Sequence, residues 1–278
     1  MADRVPLRLV GAPSAHAIKT LRSKGLPGVF SGALKDWPAF KRWTPNWLAE
    51  RFGDARVMVL VRERVTESAR DPVQSRHESM LLGNYLRTLE HSDSPGYLAQ
   101  YPIFDQIPEL REHLRFPRCH WSERFCWTNL WCGPAATRSH LHFDQDENFL
   151  AQIYGTKHIA LIDPSHSHRC YVVNRTWYDA YSPIDPSAPD LDRFPLFAGI
   201  PIFEMTLEPG DLLYLPRRWW HDIRALEPSI SVNRWWWSPA LTARNLLMRS
   251  TSMLADRMLK TQRTGYNNGY PFDIRRRP

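Results

Sequence analysis

The chain has 278 residues, a net charge of +7, 43% apolar residues and 23% charged residues, a balance that excludes an intrinsically disordered chain. Its apolar runs, such as 57–61, are far shorter than the roughly 20 residues a membrane span needs, and the opening MADRVPLRLV has no apolar signal core. The expectation is an intracellular, cytoplasmic protein with no membrane partner.

In chain order, residues 1–115 mix short helices and strands and read as a flanking region. Residues 44–52 read as a helix, with Thr44 as its cap, Pro45 at its first position and Gly53 as its stop. An apolar strand follows at 57–61. Residues 84–91 carry Tyr85, Leu86 and Leu89 at helical spacing, and 107–114 read as one more short helix. Residues 116–240 change texture, with strands expected at 127–132, 139–143, 149–154 and 157–162. Gly155-Thr156 reads as a tight hairpin between the last two. The Pro- and Asp-rich stretch 163–199 reads as an ordered excursion over the surface. Further strands fall at 202–207, 212–215, 219–224 and 229–237, with a turn at 208–211. About eight short strands without regular helices between them predict a mainly β fold, an antiparallel jelly roll.

Residues 241–278 form a tail. Within it 242–260 reads as a helix whose stripe of Leu246, Leu247, Met253, Leu254 and Met258 covers the barrel or pairs two copies as a homodimer. From Leu241 onward eight Lys and Arg stand against Asp256 and Asp273, a balance of +6 that leaves only +1 for the rest of the +7 chain. The basicity belongs to the tail, so a nucleic-acid partner is not favoured. Cys119, Cys126, Cys132 and Cys170 contain no C-x-x-C pair and read as buried free thiols.

The chemistry concentrates in Ser139-His-Leu-His-Phe-Asp144. Strand alternation puts His140, His142 and Asp144 on one face, so His142 and Asp144 form a two-ligand clamp. His221, from a neighbouring strand, supplies a third ligand. Two histidines and one carboxylate on one face leave coordination positions open, the arrangement of non-heme Fe(II) oxygenases. His140 reads as supporting or solvent-facing, and His166 and His168 as solvated loop residues.

Several ordered motifs extend this pattern: Asn129-Leu-Trp-Cys-Gly-Pro134, Glu147-Asn-Phe-Leu-Ala-Gln-Ile-Tyr-Gly-Thr-Lys157, Leu207-Glu-Pro-Gly-Asp-Leu-Leu-Tyr-Leu-Pro216, Trp219-Trp-His221 and Ser231-Val-Asn-Arg-Trp-Trp236. With Gly96-Tyr-Leu-Ala-Gln100 upstream, the chain over residues 25–238 resembles the JmjC-type, cupin-like 2-oxoglutarate oxygenases, closest in motifs to their arginyl- and asparaginyl-hydroxylase members. The resemblance implies a double-stranded β-helix core, Fe(II) held by His142, Asp144 and His221, 2-oxoglutarate as co-substrate, and O₂. Lys157 matches the residue that holds the distal carboxylate of 2-oxoglutarate. Ser139, Tyr97 and Asn148 match positions that help to hold the co-substrate, Asn233 sits beside the iron ligands, and Trp131 walls the pocket. Gln100 and Trp235 fall on the substrate side. The implied substrate is a residue in a protein or peptide, with a free amino acid or small natural product as the alternative; a non-catalytic cupin-type binding protein is the less favoured reading. An Asp in the clamp, where the family's demethylases commonly carry Glu, points to hydroxylation. One departure concerns the target: where arginyl hydroxylases carry an acid that grips the guanidinium, this sequence has Leu60, with Glu63 close by.

Overall fold

The computed structural model describes residues 4–62, 75–89, 96–118, 123–175 and 179–237. The expected C-terminal helix, the basic tail, Cys119 and Glu63 lie outside the described residues. The chain opens with β1 (Leu7–Val10), α1 (Ala15–Lys24), β2 (Gly28–Ser31), α2 (Pro38–Arg42) and α3 (Pro45–Phe52). The Ser14 hydroxyl accepts from Ala17 N at the start of α1, and Gly25 ends it in the left-handed conformation that glycine tolerates. Thr44 caps α3 by accepting from Trp47 N, as the Thr-Pro spacing predicts. There follow β3 (Arg56–Arg62), β4 (Ser75–Leu81), α4 (Leu82–Arg87), β5 (Leu98–Tyr101) and α5 (Ile103–Gln106). The helical spacing of Tyr85 and Leu86 is realised in α4, which ends at Arg87, and the expected helix at 107–114 is a 3-10 turn at Pro108–His113.

Among the described residues, ten strands then run without a regular α-helix between them. They are β6 (Cys126–Gly133), β7 (Arg138–Asp144), β8 (Glu147–Tyr154), β9 (Lys157–Ile162), β10 (Asn174–Arg175), β11 (Asp179–Tyr181), β12 (Phe203–Leu207), β13 (Leu212–Leu215), β14 (Trp220–Ala225) and β15 (Ser229–Trp236). They form two sheets. One has the order β1-β2-β13-β8-β15-β6-β5 and the other β10-β11-β7-β14-β9-β12, while β3 and β4 pair separately. The flanking region thus extends the first sheet at both edges.

Two expectations are corrected. Gly155-Thr156 is not a hairpin, because β8 and β9 lie in different sheets. Gly155 has φ 68°, a Cβ there would sit 2.1 Å from Pro228 O, and its own carbonyl accepts from the Gln152 amide at 2.6 Å. These contacts turn the chain across the barrel instead of back along one sheet. The excursion at 163–199 is also more than a surface loop, since β11 pairs with β7 and closes that side of the second sheet.

Three apolar clusters hold the architecture. Leu21, Trp43, Tyr85, Phe149, Val232 and Trp236 belong to the cluster between the first sheet and the N-terminal helices. Val29, Leu150, Ile159, Leu161, Leu213 and Trp219 pack between the sheets. Leu141, Phe143, Ile162 and Trp220 face outward from the second sheet and are covered by Ile184 and Phe197 of the excursion. Three Arg–carboxylate pairs fasten the N-terminal arm to the barrel: Arg4–Asp163 at 2.7 Å, Arg8–Asp211 at 3.2 Å and Arg22–Glu147 at 3.0 Å.

Candidate metal centre

His142 and His221 are directly opposed residues of β7 and β14, and their rings lie 4.1 Å apart between centroids. Asp144, two residues along β7, shares their face by strand alternation. Its Oδ1 lies 3.8 Å from His142 Nε2 and its Oδ2 3.9 Å from His221 Nε2. One ligand atom from each of the three lies within 4.8 Å of the other two.

The surroundings fix which nitrogens face the centre. His142 Nδ1 lies 2.6 Å from the His140 carbonyl, and His221 Nδ1 lies 2.9 Å from the Trp219 carbonyl. A carbonyl only accepts, so each Nδ1 carries a proton and each Nε2 is the nitrogen turned to the centre. Burial, with His142 close by, lowers the His221 pKa well below the ordinary histidine value, despite the opposing Trp219 carbonyl. The ring is therefore held neutral, the form that ligates metal. Burial raises the Asp144 pKa, opposed by His142 and by the Trp235 indole N–H, which donates to Asp144 Oδ2 at 3.2 Å. A cation between these three groups would offset the desolvation of the carboxylate. Two imidazoles and one carboxylate, each oriented from behind, fit a divalent ion with open positions.

Strand alternation misplaces one neighbour. Between the pairs His142–His221 and Ser139–Ile223, β7 advances three residues while β14 advances two. This β-bulge reverses the parity. Ser139, and not His140, shares the inward face with His142, and Ile223 opposite it packs against the intersheet cluster. His140 is exposed.

Lys157 opens β9, four residues before Leu161, which stands opposite His221. Register puts it on the same inward face. It is only 3% exposed, and its ammonium makes no hydrogen bond or salt bridge among the described residues. Burial lowers its pKa to about 8. Two other basic residues near the site are engaged elsewhere: Arg138 with Asp222 and Asp185, and Arg234 with Glu123.

The opposite sheet supplies amides and aromatics. Asn148, Asn233 and Trp235 are buried there. Trp131 Nε1 donates to Asn233 Oδ1 at 2.8 Å, and the Asn233 amide donates to Asn148 Oδ1 at 3.3 Å. Trp131 lies 6.0 Å from Trp235 and 5.8 Å from Tyr97 between ring centroids. Tyr97 is held by paired backbone hydrogen bonds to Leu60, both 2.9 Å. Gln100 adopts φ 50° at the irregular step of β5 on β6.

Sequence reasoning did not single out Tyr181, which lies opposite His142 in the β11–β7 pair and stacks on it at 5.4 Å and 13°. It also passed over buried Asn129 and Ser231, on the same face as Asn233. Asn129 carried a signal, standing two residues before Trp131 on one strand. Tyr181 carried none, because its short strand sits inside a Pro-rich excursion.

Two antiparallel sheets enclosing buried polar side chains, with His-x-Asp and a distant His on one inner face, define a cupin-type barrel able to hold a metal ion. The chain belongs to the cupin-like domain family, whose model matches residues 13–241. Among individual proteins it is similar to lysine-specific demethylase 8 of Xenopus tropicalis, 35% identical over 216 residues, 76% of this chain and 48% of the relative. It is 29% identical to the Jumonji C domain-containing protein 5 of Drosophila melanogaster over 233 residues, 81% of this chain and 58% of the relative. The tRNA wybutosine-synthesizing protein 5 of Danio rerio is 28% identical over 221 residues, 72% of this chain and 65% of the relative. The chain thus spans about half the length of the first of these relatives. No described helix is long and apolar enough to cross a membrane.

Proposed function

We propose that this chain is an Fe(II)- and 2-oxoglutarate-dependent oxygenase that hydroxylates an amino-acid residue in a protein or peptide. The observation that carries the reading is one inward surface bearing both the His142–Asp144–His221 group and a buried lysine whose ammonium has no partner among the described residues. When bound, iron and 2-oxoglutarate would supply, with O₂, the oxidising power to turn a C–H bond into C–OH, the second oxygen atom leaving in succinate as CO₂ is lost.

The protein's contribution is placement. His142 and His221 offer Nε2 and Asp144 an oxygen on one face, leaving the far side of the ion for co-substrate and O₂. Lys157 neutralises the distal carboxylate of 2-oxoglutarate, a role that suits a desolvated cation with no other partner. Ser139, brought inward by the bulge, holds the co-substrate together with Tyr97, Asn148 and Asn233. Trp131 walls the pocket, and Trp235 fixes the orientation of the Asp144 carboxylate. Gln100 and Trp235 fall on the substrate side. Leu60, where an acid would grip a guanidinium, favours a target other than arginine.

A second reading follows from the name of the Xenopus tropicalis relative. Demethylation is the same oxidation performed on an N-methyl carbon, with the resulting carbinolamine releasing formaldehyde. Buried free thiols at Cys132 and Cys170 suit a reducing intracellular compartment.

The test is succinate release from 2-oxoglutarate over a panel of unmodified peptides, methyl-lysine peptides and free amino acids, with mass spectrometry of the product. Hydroxylation of a peptide adds one oxygen atom, whereas demethylation removes a CH₂ and yields formaldehyde. Succinate release no greater than that of an Asp144→Ala variant would rule out both.

A further inference from the structure

Behind the metal centre lies a second charged group that the reading above does not use. Arg138 opens β7 and is largely buried, with 16% of its side chain exposed. Its Nε lies 2.9 and 3.0 Å from the two Asp222 oxygens. Its Nη1 and Nη2 each donate to one Asp185 oxygen at 2.7 Å. Asp222 is 4% exposed and directly follows His221. Asp185 belongs to the excursion, four residues after Tyr181, and is itself held by the Ser187 amide and hydroxyl at 2.9 and 2.6 Å. One planar guanidinium therefore joins the strand bearing His142 and Asp144, the strand bearing His221, and the segment whose tyrosine stacks on His142.

The site of this junction is informative. Arg138 adjoins Ser139, at the end of the bulge that turns Ser139 inward. A bulge leaves ladder groups unpaired and bends its strand, so a neighbouring fixed point decides whether the altered register is kept. The five donors of arginine in a rigid fork hold two carboxylates in a fixed geometry that the compact ammonium of a lysine does not reproduce.

We propose that Arg138 is a positioning residue of the metal centre, acting through Asp222 and Asp185 to hold the β7 bulge, and with it the spacing of His142, Asp144 and His221. The proposal rests on the metal-binding reading and is tested without turnover, using Co(II) as probe. Binding is followed by titration, and coordination geometry by the visible absorption bands.

Arg138→Met is expected to weaken Co(II) binding at least ten-fold and to change the band pattern. Arg138→Lys, which keeps the charge but loses the rigid fork, should recover part of the affinity. Asp185→Asn, at a half-exposed position that tolerates change, should shift the bands in the same direction by less, and decides the matter if Arg138→Met does not fold. Asp163→Asn, which breaks the Arg4–Asp163 pair on the N-terminal arm, serves as control: it should lower thermal stability and leave Co(II) binding and bands unchanged.

Wild-type affinity and bands in both Arg138→Lys and Asp185→Asn would overturn the proposal. So would an equal loss of Co(II) binding in the Asp163→Asn control, which would mark general loosening. If instead Asp144→Ala binds Co(II) like the wild type, the metal reading itself is what fails.

Discussion

The two faces of β15 are both largely hidden and differ in their chemistry. Ile230, Val232 and Trp236 face the N-terminal helices and join the largest apolar cluster. Ser231, Asn233 and Trp235 face the other sheet, where Ser231 and Asn233 are fully buried and partnered by Gln152 and Asn148. In a β-sandwich the intersheet space is ordinarily the core. Here the main apolar core has moved outside the barrel, under the flanking helices, and polar groups occupy much of the space between the sheets. Stability and chemistry are thereby assigned to different sides of one strand.

The largest expected effect tests that division. Trp236→Ala removes a fully buried indole from the outer cluster and should cost about 3–5 kcal/mol in denaturant unfolding. Asn233→Ala, its inward neighbour, leaves the Trp131 N–H unpaired and should cost only about 1–3 kcal/mol, while raising the 2-oxoglutarate KM. Equal stability losses with an unchanged KM would erase the distinction between the faces.

Lys157 sharpens the comparison, because function and stability should move in opposite directions there. A charged hydrogen bond to a carboxylate contributes about 1.5–3 kcal/mol, so Lys157→Met should raise the 2-oxoglutarate KM by roughly 10- to 150-fold. The fall of its pKa from 10.5 to about 8 means that burying the charged form costs about 3 kcal/mol. Below that pH the ligand-free protein carries the penalty, so the methionine variant should melt higher at pH 7. A lower melting temperature would show that the ammonium is compensated.

The smallest effect is in pH. Free Lys157 is charged below about pH 8 and neutral above it, while the dianion binds the charged form. The KM for 2-oxoglutarate should be flat below that pH and rise above it, approaching about ten-fold per pH unit. The rise should vanish in Lys157→Met. Persistence there would assign it to another group.

Much of this was legible in the sequence because the strands are short, bounded by turn residues and rich in aromatic and branched side chains. The His-x-Asp pair and Trp219-Trp-His221 need only alternation and one cross-strand pairing, which the register supplies. What escaped depends on departures from period two. The bulge exchanges Ser139 for His140, and nothing in Ser139-His-Leu-His encodes an extra residue. Gly155 looks like a hairpin glycine until its carbonyl is seen bound by Gln152. Arg138, Asp185 and Asp222 are scattered charges in one dimension and a single junction in three. Lys157 beside a turn reads locally as a solvated lysine, and only the closure of the barrel buries it.

The most direct measurement of the central claim is anaerobic equilibrium dialysis of Fe(II) against the wild-type chain and Asp144→Ala. The account predicts a single Fe(II) bound per wild-type chain and at least ten-fold weaker binding in the variant, which has lost the only anionic ligand of the three. Stoichiometric Fe(II) held with wild-type affinity by Asp144→Ala would contradict it.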